Sequence, residues 1–170
     1  MSAPELVAFA LDEWADVDAF TCGNPTLDAW LQDSAKRMQK AGTVRVTLVR
    51  RADDSALVGY YAICPTEVRR DEYVLSSRVR AAVSVVPGFM LAKLAVASAA
   101  QGAGLGRDLL VDALGTICDA AEMAGGRIVV VDPIDERAAG FYSKYGFTTI
   151  GGSGRMYMLI QDARRSLGPG

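Results

Sequence analysis

A chain of 170 residues, 51% hydrophobic and 22% charged, is long enough for a full core and too apolar to be disordered. It has no histidine, which excludes Ser-His-Asp and Cys-His catalysis and most transition-metal sites. Chemistry is left to carboxylates, tyrosine, lysine, backbone amides or groups that a substrate brings.

The formal net charge of −2 hides an uneven distribution. Residues 1–35 carry seven acids and no base, residues 36–93 carry eleven bases and five acids, and residues 94–170 carry seven bases and eight acids. The basic middle suits a phosphate-rich partner, although ordinary solvated faces also carry such charge. Cys22, Cys64 and Cys118 are odd in number and sit among apolar neighbours. They read as reduced thiols of a cytoplasmic protein, not as a disulfide frame or a zinc site. The N-terminus has acids where a signal peptide needs apolar residues. Pro87 and Lys93 interrupt the one long apolar window, 81–100, so no membrane span is expected.

In chain order, Glu5–Leu11 reads as a first strand and Asp16–Pro25 as a loop with turn chemistry. Asn24 or Thr26 is positioned to cap a following helix, whose Leu27, Trp30, Leu31 and Ala35 fall at helical spacing up to Gly42. Thr43–Arg50 alternates as a half-exposed strand, Asp53-Asp54 marks a turn, and Leu57–Cys64 returns until Pro65. Between Glu67 and Val86 the pattern weakens, with a short helix expected around Ser76–Val83. Met90–Ala97 is a buried strand, and a helix is expected from about Gly104 to Met123, ended by Gly125-Gly126. Ile128–Val131 is a wholly apolar strand and Glu136–Tyr145 a second amphipathic helix ending at Gly146. Phe147–Ile150 and Met156–Ile160 form a last pair of strands, and the tail is expected to fray. This order predicts an α/β fold with a mixed sheet, a single domain over residues 1–160 and a flexible tail over 161–170.

The break after the buried strand carries the chemistry. A strand entering Gln101-Gly102-Ala103-Gly104-Leu105-Gly106-Arg107 and opening a helix lets backbone amides approach an anion. No Lys-Ser or Lys-Thr follows the glycines, so this is not a Walker loop, and the Rossmann spacing is missing. The pattern Q-x-x-G-x-G resembles the acyl-CoA pyrophosphate loop of the GNAT acetyltransferases. Further on, Asp132 to Phe147 is similar to that family's closing segment, N-x-x-A-x-x-x-Y-x-x-x-G-F. Ala138, Tyr142, Gly146 and Phe147 match, with Asp132 at the usual Asn.

The resemblance implies a GNAT fold: a mostly antiparallel mixed sheet, splayed between strands 4 and 5 and flanked by about four helices. It also implies acetyl-CoA as cosubstrate, with no metal. The pantetheine arm would pair with the edge at Leu94, Ala95 and Val96, and the amides of Gly102 to Arg107 would take the pyrophosphate. Gln101, Asp132, Phe141 and Lys144 join the implied donor-binding set, and the Tyr142 hydroxyl would protonate the departing thiolate. Glu67 and Glu72 are the nearby carboxylates for a general base, and neither is expected to be obligatory.

Residues 20–31, Phe20-Thr21-Cys22-Gly23-Asn24-Pro25-Thr26-Leu27-Asp28-Ala29-Trp30-Leu31, look like the F-x-x-G-N-x-x-L-D-x-W-L opening of TacT-type toxins. These form the GNAT branch of toxin–antitoxin systems. Val58–Ala62 and Lys93–Val96 resemble the same group. Ala92-Lys93 departs from its common Gly-Arg, and Ala97-Ser98 replaces a common acid. The likeness implies acetylation of the α-amine of aminoacyl-tRNA, a ribbon-helix-helix antitoxin and a homodimer. Arg69, Arg70, Arg78, Arg80 and Lys93 are the candidate tRNA contacts. The alternatives are an acetyltransferase for a small amine or protein N-terminus, or a non-catalytic CoA-binding module.

Overall fold

The computed structural model describes residues 5–69 and 84–168. Its strands form one sheet in the order β1-β2-β3-β4-β5-β7-β6. They are β1 (Leu6–Ala10), β2 (Arg45–Arg51), β3 (Leu57–Arg69), β4 (Val85–Val96), β5 (Ile128–Val131), β6 (Thr148–Thr149) and β7 (Met156–Leu159). The β1–β2, β2–β3, β5–β7 and β6–β7 pairs are antiparallel, whereas β4–β5 is parallel. The mixed sheet expected from the sequence is therefore present. The chain divides into two compact units, one reaching to Cys64 and including Lys93–Asp112, the other made of Pro65–Ala92 with the residues from Ala113 onward.

In the first unit, β1 and β2 pair in register from Leu6 with Arg51 to Ala10 with Thr47. The loop after β1 enters helix α1 (Pro25–Ala29), capped by Asn24, whose side chain accepts from the amides of Thr26 and Leu27. Of the two possible caps, Asn24 performs the role; Pro25 sits at the first turn, where a missing N–H costs nothing. One π-helical turn, Trp30–Ser34, follows before α2 (Ala35–Lys40), with the Ala35 amide donating to the Trp30 carbonyl. Leu27, Leu31 and Ala35 are buried with Phe20, Val46, Leu48, Tyr60 and Ala62 in this unit's core.

β3 does not stop at Pro65 as expected, but runs on to Arg69. β2 begins at Arg45, opposite Ile63, so Pro65 lies beyond the reach of that ladder and its missing N–H breaks no bond to β2. β4 likewise starts earlier than expected, at Val85, and includes Pro87. The helix expected around Ser76–Val83 lies outside the described residues, as do Arg70, Glu72, Arg78 and Arg80.

In the second unit, Gly88, Phe89 and Met90 of β4 pair with Ile128, Val129 and Val130 of β5. The pairing ends there, although β4 continues to Val96. This is the parting of strands 4 and 5 that the family resemblance implied. Val68, Val86, Ile128, Val130, Ile150 and Leu159 form the second core, with Met90 and Tyr157 packed on it. β5 begins three residues after α3 (Leu105–Ala124), a helix that Gly125 ends at φ +84. α4 (Glu136–Lys144) follows β5, capped by Asp135 accepting from the Ala138 amide.

Residues 161–167, expected to fray, instead belong to helix α5 (Ile160–Leu167). Ile160 and Ala163 lie one helical step apart and are both buried, which gives this short helix an anchored face. Asp162 in its first turn and Arg164 and Arg165 in its last complement the helix dipole.

Candidate active site

In the first unit, β4 ends at Val96, passes through a 3-10 turn over Ser98–Ala100, and reaches the glycine loop. Gly102 and Gly104 have φ of +86 and +80, a left-handed backbone that side-chain-bearing residues rarely adopt, and a Cβ at either would meet nothing within 4 Å. At these two positions the loop is thus bare backbone. The Asp108 amide bonds back to the Gly104 carbonyl at 3.2 Å, so the amides of Leu105, Gly106 and Arg107 precede the helical ladder. They open a helix of 20 residues, whose dipole favours negative charge at this end. Arg107 adds an exposed guanidinium, 3.7 Å from Asp108. Bare glycine backbone, unladdered amides and a cation form a donor set that fits a diphosphate.

Gln101 is committed differently. Its Nε2 donates to the Cys22 carbonyl at 2.7 Å and to the Val96 carbonyl at 3.0 Å. On the strand, Ala95 is buried, and Leu94 and Val96 are partly exposed. Lys93 lies with its Nζ 5.4 Å from the centroid of the Trp30 ring, whose plane stacks on Tyr60 at 6.0 Å. Burial pushes the Cys64 thiol up, and Lys93 pulls it partly back.

In the second unit, Tyr142 projects from α4 with 8% of its surface exposed. Its ring meets Phe147 edge-on at 5.4 Å and Phe141 at 5.3 Å. Burial pushes its phenol well above the ordinary range, so the group is protonated at neutral pH. Among the described residues, none hydrogen-bonds that hydroxyl. The hydroxyl thus keeps its proton and donates it to no partner among the described residues. Lys144 lies over the Tyr145 ring at 5.6 Å. Asp132, just beyond β5, is engaged by Arg155 in a two-bond ion pair. Arg69 ends β3 with an exposed side chain, and Glu67 is exposed on the same strand. Arg155 was not among the residues expected at the site, and the contacts of Gln101 to Cys22 and Val96 were not foreseen, because such pairings have no local signature.

The match to known families now decides the class. A model described as the acetyltransferase (GNAT) domain matches residues 44–149. The chain belongs to the GNAT acetyltransferase family. Its enzyme class is therefore acyltransferase, as the two motifs implied. The tRNA-acetylating toxin of Mycobacterium tuberculosis is 32% identical over 169 residues, covering 98% of this chain and 97% of that protein. The probable toxin TacT of Sinorhizobium fredii is 29% identical, with 90% of each chain covered. The resemblance to TacT-type toxins thus extends over the whole acetyltransferase chain. In three dimensions it is similar to AtaT, solved with acetyl-methionyl-tRNAfMet, at a TM-score of 0.84, 22% identity and coverage of 93% of this chain and 96% of that one. A tyrosine-to-phenylalanine mutant of AtaT, bound to acetyl-CoA and to the C-terminus of the antitoxin AtaR, superimposes at a TM-score of 0.82, with 22% identity and 96% and 99% covered. At that identity the likeness establishes the fold. No helix among the described residues is long and apolar enough to cross a membrane.

Proposed function

We propose that this acetyltransferase is a toxin that moves the acetyl group of acetyl-CoA onto the α-amine of aminoacyl-tRNA and so arrests translation. The observation that carries the reading is 32% identity to a tRNA-acetylating toxin over 98% of the chain. The chemistry agrees. An α-amine ionises at about 7.7–8.0, so part of it is neutral at cytoplasmic pH and attacks without a dedicated base. This suits a chain with no histidine.

Leu94, Ala95 and Val96 offer backbone groups to the pantetheine arm, as an edge strand does. The amides from Gly102 to Arg107 receive the pyrophosphate. As the amine nitrogen bonds to the acetyl carbon and the carbon–sulfur bond breaks, the Tyr142 hydroxyl gives its proton to the leaving thiolate. The acetylated nitrogen releases its extra proton to water, and the Tyr142 phenolate takes a proton back from water, which restores the hydroxyl for the next turnover. Lys93 and Arg69, with Arg70, Arg78 and Arg80, supply positive charge for tRNA phosphates. An antitoxin of the ribbon-helix-helix type and a homodimer complete the proposal, in a cytoplasmic setting.

The test incubates the purified protein with acetyl-CoA and a mixture of charged tRNAs, and weighs the aminoacyl ends by mass spectrometry. N-acetylated aminoacyl ends are expected. Acetylation of free amines with none on RNA would overturn the tRNA reading in favour of a small-amine enzyme.

A further inference from the structure

Gln101 opens the glycine loop, yet its carboxamide has only two N–H donors. Those donors lie on the Cys22 and Val96 carbonyls at 2.7 and 3.0 Å. The remaining amide atom, Oε1, is an acceptor and repels an anion. Nothing on this side chain is left to grip a phosphate.

The partner of this contact is itself braced. The Thr21 carbonyl accepts from the Ser98 amide at 2.8 Å, and the Phe20 carbonyl accepts from Gln32 Nε2 at 3.0 Å. Three successive carbonyls, of Phe20, Thr21 and Cys22, are thus each taken by a different element. From the other side, Asp28 accepts from the Cys22 amide at 2.9 Å and from the Thr21 hydroxyl at 3.2 Å. Asp28 stands on α1, the helix that Asn24 caps. Gly23, at φ +88, lets the strut turn beside Ser98, 3.8 Å from where a Cβ would sit.

We infer that Gln101 is a positioning residue, whose carboxamide pins the glycine loop to the Thr21–Cys22 strut and thereby fixes the loop amides that receive the pyrophosphate of acetyl-CoA. A loop with two left-handed glycines is costly to order, and a pin fixed before binding removes that cost from the binding step. The same arrangement gives the G-N-x-x-L-D opening a physical purpose: its cap and its aspartate hold the strut still. The inference rests on the donor reading above, and it makes the loop's readiness depend on Asp28, which touches the strut and not the loop.

The experiment compares the full chain with Gln101→Met, which keeps length and loses both donors, with Asp28→Ala, and with the double variant. Calorimetric binding of CoA is read beside hydrogen exchange of residues 97–110 in the ligand-free protein. Gln101→Met is expected to weaken CoA binding roughly tenfold, the scale of one to two lost hydrogen bonds. It should also speed ligand-free exchange in that segment, and in turnover the loss should fall on KM for acetyl-CoA rather than on kcat. Asp28→Ala should weaken CoA in the same direction, and the double variant by less than the product of the two. Should Asp28→Ala unfold the chain, Thr21→Val removes one strut bond more gently. Unchanged ligand-free exchange in Gln101→Met, or effects that simply multiply, would overturn the pin. If the unaltered protein fails to bind CoA, the donor reading falls, while the exchange measurement still decides the pin.

Discussion

Asp132 grips Arg155 through two parallel hydrogen bonds, Nε to Oδ1 at 2.7 Å and Nη2 to Oδ2 at 2.9 Å. This fork-to-fork geometry is the most directional form of ion pair, yet the carboxylate is 51% exposed and water screens it. Asp132→Ala should therefore cost up to about 1 kcal/mol, or ~2–4 °C of melting temperature for a chain of this size. The difference should shrink in 1 M salt, which a melting series with and without salt would read. Because the carboxylate is turned to Arg155, CoA affinity should change little.

Tyr142→Phe separates packing from chemistry. The ring contacts to Phe141 and Phe147 survive, so the melting temperature should hold. Loss of the proton donor should lower kcat by about 10²–10⁴, the usual worth of a positioned acid. Steady-state assays of the pure variant check this, and an unaltered kcat would remove Tyr142 from the chemistry.

The Cys22 thiol is pushed up to about 11, first by burial and then by the Asp28 carboxylate beside it. An ordinary thiol ionises near 9.0. Below that pH, folded and unfolded chains both hold the proton and this contribution is complete. Between about 9 and 11 the unfolded chain alone ionises, so stability falls as pH rises. Cys22→Ala should remove part of the decline in melting temperature across that window. The buried Tyr60 and Tyr142 phenols, both raised by desolvation, sustain the rest at higher pH. Alkylation of Cys22 should be slow at pH 8.

Gly88 faces Ile128 across the parallel pair, and a Cβ there would stand 2.2 Å from the Ile128 carbonyl oxygen. Backbone cannot move aside as a side chain would. Gly88→Ala should cost at least about 1–3 kcal/mol, read as a shift in the urea midpoint.

Lys93→Ala should weaken tRNA binding with a shallower dependence on salt, the log–log slope falling by roughly 0.7–0.9 for one lost phosphate contact. Binding titrations at several salt concentrations decide it. An unchanged slope would take Lys93 out of the RNA interface.

Elements with strong local signals were legible in sequence. Ile128–Val131 is apolar at each position and bounded by turn residues, and it emerges with those same ends. Gly125 and Gly146, at φ +84 and +99, close the helices they were expected to close. The failures share one physical origin, which is dependence on a distant partner. Pro65 ends a strand only where a neighbour needs its N–H, and β2 has already begun past that point. The tail from residue 161 was expected to fray as a chain terminus does, but Ala163 finds burial in a helix that Ile160 begins. At the site, the residue types were readable whereas their partners were not. Gln101 meets Cys22 79 positions away, and Asp132 meets Arg155 23 positions away.

The π-helical turn at Trp30–Ser34 sets the phase of everything after it on that helix. Downstream, the Lys36 ammonium reaches the Ala15 carbonyl at 2.6 Å, and Gln39 spans the Leu11 carbonyl and the Val46 amide. Each residue turns an α-helix by roughly 100°. Removing one residue from the wide turn would swing both side chains about a quarter-turn off their targets. The surplus residue works as a timing element: length in this helix is fixed as firmly as composition, and a chain one residue shorter there would lose the Lys36 and Gln39 ties to its first loop.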